Sequence, residues 1–246
     1  MKFATWNLFI GNDQQTSAID FLLNEDIDVA CFQELRFETT KYLNDSNLRH
    51  LNYCVSHHQN GRGVFLAIAS NLKPIHSETV IINNVHNTVL SRICGLNYQK
   101  IAFLYNDYLV NGRNLRVFGV HLPFGSSPSR HLSLLEEIFR KLNNDINVIC
   151  GDFNSFGHFP WNLLLGPING SRWTDCWKNE IESIKELLKR FNLKLDSDKS
   201  TTYPLCGTSI DHIIIPDSWS SYQYKTYKKC CGSDHKLVVL EENVIS

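Results

Sequence analysis

NVICGDFNSF, residues 147–156, decides how the rest of the chain is read. Val148, Ile149 and Cys150 are apolar at consecutive positions, as in a parallel-sheet strand covered on both faces. Gly151 marks a strand end or a close backbone approach. Residues two apart in an extended chain share a side, so Asp152 and Asn154 leave the strand together. Loops at such exits, held by a rigid scaffold, are where proteins place chemistry. Asp, Asn, Ser and Gly also make ordinary turns, so the stretch gains its meaning from the rest of the chain.

Working outward, similar apolar runs recur from end to end. Residues 2–8, DIDVACFQEL, GVFLAIAS, HNTVLSRICGLNY, QKIAFLYNDYL, LRVFGVHL, SIDHIIIPD and DHKLVVLE all read as strands. Between them, residues 14–24 form an amphipathic helix carrying Ile19, Leu22 and Leu23 on one face. SPSRHLSLLEEIFRKLNN is a second helix, capped by Ser129, with Leu132, Leu135, Ile138, Phe139 and Leu142 as its stripe. KNEIESIKELLKRF is a third, with Ile181, Ile184, Leu187, Leu188 and Phe191 inward. FGHFPWNLLLGPINGSRW is the least regular region and reads as core packing or a loop over a site. The alternation, with consecutive strands mid-chain and no repeat or linker, predicts one α/β domain over 1–246 with a mixed sheet system.

Composition narrows little. The 246 residues are ample for a sizeable core, and 43% hydrophobic with 20% charged residues is ordinary globular usage. A net charge of −1 does not by itself argue for a polyanionic partner. The 8 cysteines include no CxxC pair, and Cys31 and Cys150 lie in apolar runs. There is no signal-peptide h-region and no apolar run of membrane-spanning length. The expectation is a cytoplasmic monomer with free thiols, or secretion by a route that leaves no N-terminal signal.

The polar residues share one habit: each sits at an end of an apolar strand. Asn7 follows FATW, Glu34 follows VACFQ and His121 follows RVFGV, while Asp152 and Asn154 follow NVICG. Asp211 and His212 precede IIIP, and Asp234 and His235 precede KLVVL. These groups converge if the strands belong to one sandwich. Glu34, Asp234 and Asn7 supply hard oxygen ligands suited to Mg²⁺ or Mn²⁺. His121 and His235 handle protons near neutral pH, and Asp211 is placed to fix the tautomer of His235. Asp152 can position water, and the Asn7 and Asn154 amides can donate to anionic oxygens. The set fits metal-assisted hydrolysis of a phosphate ester.

In order, TWNL, CFQEL, GVHL, GDFNS, SIDHIII and SDHKLVVL resemble the endonuclease/exonuclease/phosphatase superfamily, from Asn7 to about Leu240. Its members include pancreatic-type deoxyribonuclease, abasic-site endonucleases, inositol polyphosphate 5-phosphatases, sphingomyelinases and a tyrosyl-DNA phosphodiesterase. The resemblance implies a four-layer α/β/β/α sandwich of two packed mixed β-sheets, with the site at one edge. By motif, Glu34 resembles the main Mg²⁺ ligand, with Asn7 and Asp234 close to the metal. Asp152 and Asn154 match the pair holding water and phosphate, His235 the catalytic histidine with Asp211 as its partner, and His121 the histidine of deoxyribonuclease-like and phosphatase members. His212 reads as structural.

The substrate is less legible. GVHLP stands where abasic-site endonucleases carry a tyrosine, and GTSIDH replaces the WCDR of inositol 5-phosphatases. Arg92, opening a strand, and Arg130, opening a helix, are candidates for binding substrate phosphate. Lys225, Lys228 and Lys229 precede SDH and suit a polyanion such as nucleic acid. With His121 suited to protonating an alkoxide leaving group, they favour a phosphodiesterase or nuclease. The alternatives are a phosphatase or phospholipase acting on a small or lipid phosphate, and a catalytically inactive binding module.

Overall fold

A computed structural model describes residues 1–46, 48–83, 85–156, 166, 171, 175, 179–195, 200–228 and 231–242. The first half holds β1 (Lys2–Asn7), α1 (Gln15–Leu23), β2 (Val29–Leu35), α2 (Phe37–Asn44), β3 (His50–Gln59), β4 (Arg62–Ser70), β5 (His76–Asn83), α3 (Val89–Ile93) and β6 (Leu96–Asn97). The second half holds β7 (Lys100–Val110), β8 (Arg113–His121), α4 (Pro128–Phe139), β9 (Ile146–Asp152), α5 (Glu180–Lys189), β10 (Leu193–Leu195), β11 (Asp211–Pro216), β12 (Tyr222–Thr226) and β13 (Val238–Glu242). A seven-stranded sheet runs β12-β13-β1-β2-β4-β3-β6, and a six-stranded sheet runs β10-β11-β9-β8-β7-β5. β1 and β2 are parallel, as are β8 and β9, while the other pairs are antiparallel.

The continuous apolar runs follow from burial on both faces. Phe3, Cys31, Val117, Val148, Cys150 and Ile213 fill the space between the sheets. Their neighbours in sequence turn the other way. Trp6 and Phe32 pack on Ile19 and Leu22 of α1 and Leu43 of α2. Phe118 and Ile149 pack on Ile138 of α4 and Leu188 of α5. The result is the expected four-layer α/β/β/α sandwich with two mixed sheets. Gly151 is required where β8 and β9 meet, because a Cβ there would lie 2.1 Å from the Val120 carbonyl oxygen.

Several local expectations need correction. HNTVLSRICGLNY is not a strand: its centre is α3, because the Thr88 hydroxyl accepts the Ser91 N–H at 3.1 Å and Gly95, at φ +69°, ends the turn. Arg92 therefore lies on a helix. Ser129 does not cap α4; Ser127 is the N-cap residue, Pro128 follows it, and the Ser129 hydroxyl donates to Asp175 at 2.6 Å. Most of FGHFPWNLLLGPINGSRW lies outside the described residues. Among the described residues, no helix is long and apolar enough to cross a membrane.

Candidate active site

The strand register gathers the site. His121 on β8 stands opposite Asp152 on β9, and Asp152 stands opposite Asp211 on β11. All three share the parity of Val117, Val148, Cys150 and Ile213, which face the other sheet. Asn7 ends β1 on the corresponding inner face of the seven-stranded sheet, opposite Gln33. The inter-sheet core thus ends, at one edge of the sandwich, in a row of polar groups.

Glu34 reaches this row by a local irregularity. Between Phe32 and Leu35 on β2, three steps oppose only two on β4, from Ala67 to Phe65. Such a bulge re-aims side chains, and Glu34 takes the left-handed region at φ +56° within it. Gln15 holds the bulge in place. Its amide nitrogen donates to the Glu34 carbonyl at 2.8 Å and the Phe9 carbonyl at 2.9 Å. Its oxygen accepts the Arg36 N–H at 3.1 Å and the Thr39 hydroxyl at 2.6 Å. The Glu34 carboxylate accepts the Ile10 N–H at 3.1 Å and the Asn7 amide at 3.0 Å. The same Asn7 nitrogen donates to Asp152 at 2.9 Å, while the Asn7 oxygen accepts the Phe9 N–H at 2.9 Å. Asn7 therefore braces the two carboxylates as a donor.

On the other side, His235 Nδ1 bonds Asp211 Oδ2 at 2.8 Å, leaving Nε2 3.9 Å from Asp152 Oδ2 and 3.9 Å from Asp234 Oδ1. The loop before β13 is fastened to β1: Ser233 donates to the Asn7 carbonyl at 2.6 Å, and the Trp6 indole donates to the His235 carbonyl at 3.1 Å. His121 Nε2 lies 3.8 Å from both Glu34 and Asp152. Asn154, at φ +47°, gives its backbone N–H to Asp152 Oδ1 at 2.8 Å and its side-chain amide to the Leu122 carbonyl at 2.9 Å. It fixes the Asp152 carboxylate.

These groups are buried, and their charges are set accordingly. Burial, followed by the nearby Asp211 carboxylate, pushes Asp152 up to about 7. Burial works against the charge on His235, but Asp211, by charge and hydrogen bond, with Asp152 and Asp234, raises it to about 10. Burial, then the neighbouring His235 charge, lowers His121 to about 3. One imidazolium and one neutral imidazole thus flank Asp152. Ligand atoms of Glu34, His121 and Asp152 lie within 4.8 Å of one another. Two carboxylates sharing one buried donor form an oxygen-rich pair that fits a hard divalent cation, and Asp234 Oδ1, buried without a hydrogen-bond partner among the described residues, stands at the His235 end.

The structure brings Asn7, Glu34, His121, Asp152, Asn154, Asp211 and His235 together, with Asp234 at the His235 end. Arg92 is exposed on α3 and Arg130 half-buried on the first turn of α4, in connections at this same edge. His212 turns to the opposite face, edge-on to Phe153 with ring centroids 5.5 Å apart. Lys225 lies over the Tyr227 ring at 4.0 Å, and Lys229 lies outside the described residues. Two site neighbours escaped the sequence reading. His57, on β3, packs edge-on against His121 at 5.2 Å and bonds Ser56 at 2.9 Å. Tyr203 packs against His235 at 4.9 Å. The doubled histidine in SHHQNG and the aromatic in TTYPLCGT were the available signals.

The sequence model described as "Endonuclease/Exonuclease/phosphatase family" matches residues 4–235. No curated protein sequence matches the chain. Among solved structures, an endonuclease/exonuclease/phosphatase family protein from Leptotrichia buccalis C-1013-b is 14% identical, with TM-score 0.69, covering 99% of this chain and 100% of that one. The endonuclease domain of TRAS1, a telomere-specific non-LTR retrotransposon, is 12% identical, with TM-score 0.63 and coverage of 100% and 99%. D. rerio TDP2 complexed with single strand DNA product is 12% identical, with TM-score 0.61 and coverage of 99% for each chain. At these identities the likeness is one of fold.

Proposed function

Because the chain belongs to the endonuclease/exonuclease/phosphatase family, we propose that it is a phosphoester hydrolase using Mg²⁺ or Mn²⁺, acting on phosphodiesters by attack of water on phosphorus. The observation carrying this reading is one row of groups at the sandwich edge: Glu34 and Asp152 joined through Asn7, with the Asp211–His235 pair alongside.

Glu34 is the principal metal ligand in this reading, with Asp152, Asp234 and His121 beside it. The bound cation supplies charge neutralisation at a phosphoryl oxygen and acidifies water. Asp152, oriented by the Asn7 amide and the Asn154 N–H, accepts the proton of the attacking water. His235, oriented through Nδ1 by Asp211, presents Nε2–H to the phosphoryl or leaving oxygen. His121, held neutral by burial, is suited to hydrogen bonding in the site; the proton-donating role falls to His235. Arg92 and Arg130 are substrate-phosphate candidates at the rim.

A phosphodiester in nucleic acid is favoured as substrate, supported by the named relatives: TRAS1 contributes an endonuclease domain and TDP2 was captured with a DNA product. The test is nicking of supercoiled plasmid and cleavage of oligonucleotides with Mg²⁺, beside phosphate release from a panel of monoesters. Release of inorganic phosphate with every nucleic acid left intact would replace this reading with a phosphatase.

A further inference from the structure

A cavity of about 930 Å³ lies beside Glu34 on the outside of the seven-stranded sheet and is unused by the chemistry above. Phe9, Phe37 and Phe65 line it, with Gln59, Asn60 and Arg62 among them. One lining residue ties it to the site: Ile10 gives its N–H to Glu34. Its volume is at the upper end of ligand clefts.

Two of the three rings, Phe9 and Phe37, are held exposed. Phe9 is 38% exposed and adopts φ +58°, a conformation bulky residues rarely take. Its N–H is tied to Asn7 and its carbonyl to Gln15. Gly11 leaves room for the ring, since a Cβ there would lie 2.6 Å from it. Phe37, 45% exposed at the start of α2, lies 5.7 Å from Phe65, with Lys41 4.7 Å from its ring centre. Arg36 is tied down by the Ile10 carbonyl at 2.8 Å and Asp13 at 2.8 Å, which fixes the inner wall. Exposed Arg62 and Glu38 and the Gln59 and Asn60 amides supply the polar part of the lining.

We infer that this groove binds an unpaired base of a single-stranded nucleic acid whose neighbouring phosphate lies at Glu34 and His235. Flat apolar faces suit stacking, amides suit the hydrogen-bonding edge of a base, and an arginine suits the backbone. An acyl chain would desolvate Arg62, Gln59 and Asn60 without pairing them. In a duplex, stacked neighbours cover the base faces, leaving Phe9 and Phe37 without a stacking partner. The inference rests on the proposed hydrolysis only in placing a phosphate at the catalytic row.

Binding is measured without turnover, in chelator and at low salt, by titrating a short oligodeoxythymidylate carrying one fluorescent purine analogue. Wild type is compared with Phe37→Ala, Phe37→Trp and, on the opposite edge, the Leu109→Ala control, each checked for folding by circular dichroism. Losing one stacking face weakens binding about 5- to 150-fold in Phe37→Ala. Phe37→Trp restores most of it, and Leu109→Ala matches wild type. Equal affinity in Phe37→Ala and wild type overturns the groove. Equal binding of duplex and single strand, or binding of phospholipid vesicles in place of any oligonucleotide, overturns the ligand class. Wild type that binds the strand through Phe37 yet cleaves no ester keeps the groove and removes the hydrolysis reading; cleavage with no effect of Phe37→Ala does the reverse.

Discussion

Gln15→Leu tests whether the bulge that aims Glu34 is held by one buried amide. Leucine keeps similar bulk but deletes four hydrogen bonds: to the Glu34 and Phe9 carbonyls, the Arg36 N–H and the Thr39 hydroxyl. Each such bond nets about 1 kcal/mol, and a buried partner left bare costs about 1–3 kcal/mol. The Thr39 contact is buried, whereas the other three border solvent and can recruit water. The expected loss is therefore about 2–4 kcal/mol in total. For a chain of this size, each kcal/mol lowers the melting temperature by about 2–4 °C, so a fall of about 4–16 °C is expected. Releasing the Glu34 carbonyl also lets its carboxylate drift from the Asn7 and Ile10 donors. A shift on the order of 1 Å costs up to about 100-fold in rate. Thermal unfolding by circular dichroism and kcat on the best substrate give the two readings. A variant that melts with wild type and turns over at the same rate refutes the argument.

Other expectations are more direct. Glu34→Gln should lower activity by about 100-fold or more, and calorimetric titration should show weakened Mg²⁺ binding with circular dichroism unchanged; full activity in chelator sinks the metal mechanism. Asp211→Ala, His235→Ala and the double variant should fall to a similar low rate, because an imidazole and its orienting carboxylate act as a unit; losses that simply multiply show that they act independently. His131 offers a pH test away from the site. Its Nδ1 meets Glu180 at 2.5 Å and its Nε2 the Pro123 carbonyl at 2.9 Å, two acceptors, so both nitrogens donate and the ring is an imidazolium. Burial opposes that charge, but Glu180 and the Pro123 carbonyl raise the pKa above its ordinary value. A raised pKa contributes stability fully below about pH 6.5, lost as pH rises through the folded value. Glu180→Gln should thus cost about 3–5 kcal/mol at mildly acidic pH, with a smaller gap to wild type in alkaline urea titrations. A gap that does not vary with pH refutes the imidazolium.

Much of the site was legible because strand parity is local. Asp152 follows Cys150 by two residues and His121 follows Val117 by four, so the pattern that sends an apolar side chain between the sheets sends these polar ones to the edge. Continuous apolar runs likewise implied sheets buried on both faces, and hence the layered α/β fold. The chain alone could not supply what depends on partners distant in sequence. By strict alternation from Phe32, Glu34 would face α1; the bulge on β2, clamped by Gln15 from that helix, turns it toward Asn7. His57 was hidden by another register shift on β3, between Val55 and His57. α3 read as a strand because its apolar residues are few, and the Thr88 cap overrode their pattern. Asn7 and Asp152 meet across 145 positions, and Trp6 holds the His235 backbone across 229. The sequence determined which groups lie at strand ends; the tertiary packing decided which touch, because hydrogen-bond distances depend on register, bulges and the spacing of two sheets that no local periodicity encodes.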